Sequence, residues 1–261
     1  MLGDLRLTGA GVSVTVDVDG EAGLPDGGRG HAGRLTSRSE RVYGIARGLP
    51  RILRLLAEHG VDATFYVPGV TAQRHPDAVA AILAGGHEIG HHGHHHLRTD
   101  TLAARAERTE LLDGLDALHA AGAPRPRAYR SPGWELTPVT LAALGELGFE
   151  ADSSLMGDDR PYALAAGGAT LVELPVHWAL DDAPHFGHTT DPAGLRAVWR
   201  VELAQALAED RHVTYTLHPE ILGRPHRLDV LRAVLEDAQT AGVPVVAHGA
   251  LLDALAASPR P

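Results

Sequence analysis

Short β-branched runs alternate with longer helix-like runs along this chain, about seven times over. That order allows few folds. Residues 12–18, VSVTVDV, alternate with period two and read as a strand. Residues 21–48 are rich in Gly and charge and read as an irregular excursion, with a short helix near Ser39 to Ala46. Pro50 opens the helix PRILRLLAEHG and Gly60 closes it, the expected asymmetry of helix ends. Further strands are expected at 63–67, 87–89, 171–176, 212–217 and 243–248, with helices at 76–84, 101–121, 137–147, 192–209 and 226–241 and a short closing helix, ALLDALAA. Strand-then-helix order points to a (β/α) barrel or an open parallel sheet. No linker is long enough to split the chain, so residues 1–261 are expected to form one domain.

The polar residues of interest fall at strand ends: Asp17 and Asp19, His92, Arg130, His177, His218 and His248. Barrels place their chemistry at the C-terminal ends of strands. Neither a glycine fingerprint for a dinucleotide nor a GxxxxGK[ST] phosphate loop occurs, which lowers a nucleotide-binding reading.

Composition narrows the chemistry further. Lys and Arg total 23 against 33 Asp and Glu, a net charge of −10. Such a surface repels phosphate backbones, so neither nucleic acid nor a membrane is an expected partner. There is no cysteine, so any metal must sit on imidazole and carboxylate. Asp4 and Arg6 interrupt the N-terminal run MLGDLRLTGAG, which makes neither a signal h-region nor a span, and a cytoplasmic setting is expected.

Five of the 17 histidines, His91, His92, His94, His95 and His96, fall in one six-residue window. An affinity tag would look similar, but this window lies between two helix-like segments, inside the fold. His92 and His96 are four apart, which on a helical turn puts both imidazoles on one face. His91 and His95 share that spacing. The flanking Gly90 and Gly93 favour His92, at a strand turning beneath a site. Asp17 and Asp19 alternate with apolar neighbours and point to one side, where two carboxylates repel unless one meets a cation or holds a proton. A pair of histidines and a carboxylate binds a divalent ion and leaves room for water. One aspartate is then a ligand and the other a base, and the spacing does not say which.

TVDVDG resembles the first motif of the polysaccharide deacetylase family (NodB homology, carbohydrate esterase 4), and GHEIGHHGHHH resembles its second, a histidine pair. Tyr129-Arg130-Ser131-Pro132-Gly133-Trp134 is similar to the third motif, and Gly148-Phe149 through Asp152-Ser153-Ser154-Leu155 to the family's GF-x-x-DSSL stretch. Leu174-Pro175-Val176 with Trp178, Asp181 and Asp182 resembles the fourth region, and Leu217-His218-Pro219 the fifth. The resemblance covers about residues 12 to 250. It implies a distorted (β/α)7–8 barrel, with Asp17 as base and Asp19, His92 and His96 as metal ligands. It further implies that Arg130 orients the base, that Pro132 and Trp134 wall the pocket, and that His218 is the general acid. Asp181 or Asp182 would set the charge of His218.

The wording of VDVDGE, SPGWE, LPVHWALDDAPHF and HPEILGRPHR is similar to one cytoplasmic branch. That branch includes a gastric-bacterial peptidoglycan deacetylase, cyclic imidases and PuuE-type allantoinases. The valine between Asp17 and Asp19 fits this branch, not the secreted deacetylases with adjacent carboxylates. Its allantoinases lack the intact histidine pair kept here, which disfavours allantoin. The expected activity is hydrolysis of a non-peptide C–N bond, either removal of an N-acyl group or opening of a cyclic imide or ureide. The substrate is an amino sugar or a small N-acylated or cyclic amide. His177, Trp178 and His185 are expected near the substrate opening, and Glu21 is as readily structural as functional. Zn²⁺ is the expected ion, with Co²⁺, Ni²⁺ or Fe²⁺ compatible. A dimer or tetramer is the expected assembly.

Overall fold

β1 (Gly11–Asp17) is buried on both faces, and its alternation explains how. Val12, Val14 and Val16 face the main apolar cluster, together with residues of the surrounding helices. Ser13, Thr15 and Asp17 point the other way, into the hollow of a curled sheet, where each finds a polar partner. Ser13 Oγ donates to the Val246 carbonyl at 2.8 Å and Thr15 Oγ1 to the Tyr215 carbonyl at 3.0 Å. Buried polar groups must be bonded, and here they line the interior of the sheet.

The computed structural model describes residues 10–24, 34–188 and 191–257. The N-terminal run before residue 10 and residues 25–33 of the expected excursion lie outside the described residues. After β1 come α1 (Leu35–Tyr43), a π-helical turn (Gly44–Gly48) and α2 (Leu49–His59). β2 (Thr64–Val67), α3 (Gly69–Arg74), α4 (Pro76–Ala84), β3 (Glu88–His91) and α5 (Ala104–Ala120) follow. β4 (Ala128–Tyr129), α6 (Pro138–Glu146), β5 (Ala151–Asp152), β6 (Tyr162–Ala166) and β7 (Ala169–Glu173) complete the middle. The last part holds α7 (Asp182–His188), α8 (Pro192–Ala208), β8 (His212–Leu217), α9 (Leu228–Ala241) and α10 (His248–Ala257).

The eight strands run in the order β6-β7-β5-β4-β3-β2-β1-β8, parallel except for the β6–β7 hairpin. The expected distorted barrel is thus a curled sheet, open on one side, with helices around it. A single bridge, Asp181 to Thr216, spans the seam next to β8. A cavity of about 210 Å³ lies in that seam, between Val176, Leu180 and Val213, apart from the Asp–His site.

α2 forms as its sequence dictates. Pro50 stands in the first turn, and Gly60 ends the helix in the left-handed region, φ 62°. Leu49, Ile52, Leu55 and Leu56 form its buried stripe. The expected strand at 243–248 is not one. Its middle makes an isolated bridge, Val12 to Val245, below the point where β2 begins to pair with β1 at Thr15, and His248 opens α10 instead. The expected strand at 171–176 starts earlier and stops at Glu173, because it pairs back on β6 through a Gly167-Gly168 turn.

Candidate metal centre and active site

The ends of β1, β3, β4 and β8 converge, and the residues just past them form the site. Asp17 ends β1, and two residues on Asp19 starts a short 3₁₀ turn. The Asp19 carbonyl accepts from Thr71 Oγ1 at 2.5 Å, which pins the turn to α3. His92 follows β3 directly.

The expected helical turn carrying His92 and His96 is absent. The chain bends at 94 and 95, and His96 takes a left-handed backbone, φ 58°. That unfavourable conformation turns the second ring back onto the first, with centroids 4.9 Å apart. Held this way, His96 Nε2 lies 3.3 Å and His92 Nε2 3.6 Å from Asp19 Oδ1. The other two histidines of the window with that spacing are engaged elsewhere. His91 Nε2–H donates to the Leu111 carbonyl, and its Nδ1 accepts from the Gly93 N–H, so both ring nitrogens are in use. His95 is bonded to Glu110 at 2.6 Å near the surface.

The set fits a divalent cation. His92 Nδ1 is 2.7 Å from the Arg130 carbonyl, which can only accept, so Nδ1 carries a proton and Nε2 is the nitrogen turned to Asp19. Burial lowers His96 to about 4, which keeps that ring neutral. Burial alone would raise Asp19, but His96, His218, His92 and Arg41 outweigh it and hold its carboxyl well below the usual carboxylate range. Asp19 Oδ1 is buried and has no hydrogen-bond partner. A buried carboxylate oxygen left without a hydrogen bond beside two imidazole nitrogens is costly unless a cation sits between them.

Arg130 is fully buried and explains the position of Asp17. Its Nη1 donates to Asp17 Oδ1 at 2.7 Å and to Thr15 Oγ1 at 2.9 Å, while Nε and Nη2 bond the carbonyl and hydroxyl of Ser153. Its guanidinium also lies over the Tyr66 ring, 4.2 Å from the centroid. Asp17 Oδ2 remains toward His92 Nε2 at 3.8 Å.

His218 follows β8. Its Nδ1 bonds Asp182 Oδ1 at 2.7 Å, and Asp181 Oδ1 lies at 3.5 Å. Burial would lower this imidazole, but Asp182 and Asp181 raise it well above its ordinary value. Burial pushes Asp181 up to about 7. Asp181, Asp182 and His218 lie close enough to hold a cation as well. The geometry of this second cluster is that of an ion pair, His218 held between Asp182 and Asp181. Its free Nε2 is 3.9 Å from Asp19 Oδ2.

Trp134 and Trp178 stack at 4.4 Å, 21° from parallel, over a cavity of about 160 Å³ that reaches Asp17, Asp19 and His218. Pro132 opens the turn that carries Trp134, and its ring meets Gly93. His177 caps the turn holding Trp178, its Nδ1 accepting from Ala179 N–H at 3.1 Å, and does not line this cavity. His185 bonds the Asp191 carbonyl, and Glu21 bonds His75 at 2.7 Å, a structural use. His248 faces the Tyr66 hydroxyl at 2.8 Å, inside the sheet and outside the cavity lining.

Two groups escaped the sequence reading. Asp152 and Glu173 form a buried carboxyl pair beneath Arg130. Burial, and then the Asp152 charge, raise Glu173 well above its usual value. The pair accepts from Ser154 N–H and Leu155 N–H and so fixes the Ser153-Ser154 corner that grips Arg130. Arg41 and Glu220 are the second group. Glu220 stands two residues after His218, the one signal that could have flagged it.

Comparison with known proteins agrees with this geometry. A family model described as polysaccharide deacetylase matches residues 43–151. The peptidoglycan deacetylase of Helicobacter pylori is 26% identical over 261 residues, covering 86% of this chain and 88% of that protein. A crystal structure from Mycobacterium smegmatis, assigned as a polysaccharide deacetylase, is 37% identical, covers 98% of this chain and 94% of its own, and superposes with a TM-score of 0.89. The PuuE allantoinase structure shares the fold at 21% identity and a TM-score of 0.85, covering 97% and 92% of the two chains.

Proposed function

This chain belongs to the polysaccharide deacetylase family, and from that premise we propose that it hydrolyses the C–N bond of an N-acyl group, with Asp17 as base and His218 as acid. The family and the Asp–His cluster make it a metal-dependent amide hydrolase. The observation that carries this is Asp19 Oδ1, buried and without a hydrogen-bond partner, facing Nε2 of both His92 and His96. A divalent ion held by these three would lower the pKa of water and polarise the carbonyl. Two nitrogens and one oxygen suit Zn²⁺ first, and Co²⁺, Ni²⁺ or Fe²⁺ fit the same set.

The chain's own groups do the rest. Asp17 is gripped through Oδ1 by Arg130, which leaves Oδ2 to take a proton from the attacking water. The water oxygen adds to the carbonyl carbon. His218, tied through Nδ1 to Asp182, gives its Nε2 proton to the nitrogen as the C–N bond breaks. An amine leaves poorly as an anion, and this proton removes that barrier. The products are a carboxylic acid and an amine. Trp134 and Trp178 would hold the substrate against the cavity wall.

Two substrate classes use these groups. Similarity to a peptidoglycan deacetylase supports an acetamido sugar. The stacked Trp134–Trp178 pair over a cavity of about 160 Å³ favours the second class, a small cyclic imide or ureide. No described helix is long and apolar enough to cross a membrane. A cytoplasmic homo-oligomer, with residues 1–261 as one catalytic domain, is the setting this reading implies. The test is a panel of N-acetylglucosamine oligomers, succinimide, hydantoin and allantoin, with Asp17→Asn and His92→Ala as controls. Acetate release lost in both variants supports the deacetylase. Ring opening without acetate moves the chain to the cyclic amide hydrolases, and activity retained in both variants contradicts the assigned roles.

A further inference from the structure

Asp19 offers its two oxygens to different neighbours. Oδ1 faces the histidines, and Oδ2 lies 3.4 Å from Nη1 of Arg41, a residue of α1. The same Nη1 hydrogen-bonds Glu220 Oε1, and Nη2 points to the Gly23 carbonyl at 3.5 Å. Arg41 does not line the cavity at the site, so it reaches Asp19 without facing the substrate space. We propose that Arg41, anchored by Glu220, is a positioning residue that fixes the rotation of the Asp19 carboxylate and presents Oδ1 to the cation. This rests on the reading of Asp19, His92 and His96 as the ligand set.

Three features support it. The first is packing that leaves the pair little freedom. A Cβ at Gly23 would stand 2.8 Å from Asp19 Cβ and 3.0 Å from Arg41 Nη1. At Gly44 it would stand 2.9 Å from Glu220 N, and at Gly48 it would overlap the Pro219 carbonyl. The π-helical turn after α1 therefore lies in backbone contact with the segment that carries His218 and Glu220, and such turns gather at functional sites. The second is charge. A lone guanidinium beside a cation site would repel the cation, and Glu220, bonded to the same Nη1, offsets part of that charge. The third is exposure. Glu220 is almost fully buried and accepts from Arg41, and a buried carboxylate of this kind needs such a partner.

The test uses the full chain, stripped of metal and titrated with Zn²⁺ against a chromophoric chelator, and with Co²⁺ while its visible spectrum is recorded. Arg41→Met, Arg41→Lys, Glu220→Gln and Asp19→Asn are compared with the parent protein, with thermal melts to confirm folding. Loss of a partner that orients a ligand weakens metal binding by about 10- to 100-fold. Arg41→Met is expected to fall in that range with an altered Co²⁺ spectrum. Arg41→Lys should recover part of the affinity. Glu220→Gln should weaken binding at least as much, since it leaves the Arg41 charge unopposed. A purely structural role would lower the melting temperature and leave affinity and spectrum alone. Arg41 variants within twofold of the parent, or with affinity unchanged and only KM raised, overturn the proposal. If the parent binds no ion, or Asp19→Asn binds as tightly as the parent, the ligand set itself is wrong and the proposal falls with it.

Discussion

His218 and Asp182 are joined twice: Nδ1 of the ring meets Oδ1 at 2.7 Å, and the His218 backbone N–H donates to Oδ2 at 3.0 Å. The double contact fixes both the charge and the direction of the ring. With the histidine raised well above its ordinary value, its acid form persists until pH rises through that raised value. Asp182→Asn removes the largest charge that raises it, so the alkaline limb of the rate profile should move to lower pH. The rate should fall by about 10²- to 10⁴-fold, the usual worth of a positioned acid. A pH–rate series on the parent and the variant checks both. An unshifted alkaline limb would show that His218 does not carry the proton.

Arg130 cannot be shortened without exposing what it serves. Arg130→Ala leaves Asp17 buried and unpaired and strips two bonds from Ser153. Breaking a buried pair from one side costs about 3–5 kcal/mol, and urea unfolding should show a loss of that order. Arg130→Lys keeps the charge but loses the fork, so it should recover stability better than activity.

His212 gives the fold an acid limit. Burial lowers it to about 4, and its ring sits 2.9 Å from Ser13 Oγ. Between the ordinary imidazole value of about 6.5 and that lowered value, the unfolded chain takes a proton that the folded chain refuses. The His212 contribution to stability therefore falls as pH drops through this window, by about 1.4 kcal/mol per unit. His91, lowered by burial to about 3, acts in the same direction. His218, which is raised, is lost as a stabiliser only as pH climbs, so it does not blunt the effect. Denaturant curves at several pH values on the parent and His212→Gln should show a shallower slope in the variant.

Gly48 is a contact point, not a hinge. Its neighbour across the gap is the Pro219 carbonyl, and a methyl group there would overlap it. Gly48→Ala should cost about 1–3 kcal/mol by overpacking and drag His218 with it, so activity should fall along with the melting temperature.

What could be read from the chain follows what has local periodicity. β1 and α2 were legible because alternation and end-capping residues declare themselves over seven and eleven residues. β4 and β5 span two residues each, too short for any period, though they deliver Arg130 and Ser153. The run at 243–248 has strand composition, but among the described residues only one bridge forms, because β8 occupies one edge of β1 from Gly11 to Val16 and β2 takes the other from Thr15 onward. Asp17, Asp19, His92, His96 and His218 were singled out by motif order, and the structure gathers them around one cavity. Local spacing misled at His92 and His96, which meet through a left-handed residue and not along a helix. Arg41 was hidden in a charged helix, 22 positions along the sequence from Asp19.

The most direct test is a stoichiometric one. Metal-stripped protein is titrated with Zn²⁺ while bound metal and C–N hydrolysis are followed together, in the parent and in a variant lacking Asp19, His92 and His96. One ion per chain, with activity rising in proportion and both lost in the variant, is the predicted result. Full hydrolysis by the stripped protein, or equal binding by the variant, would contradict the account.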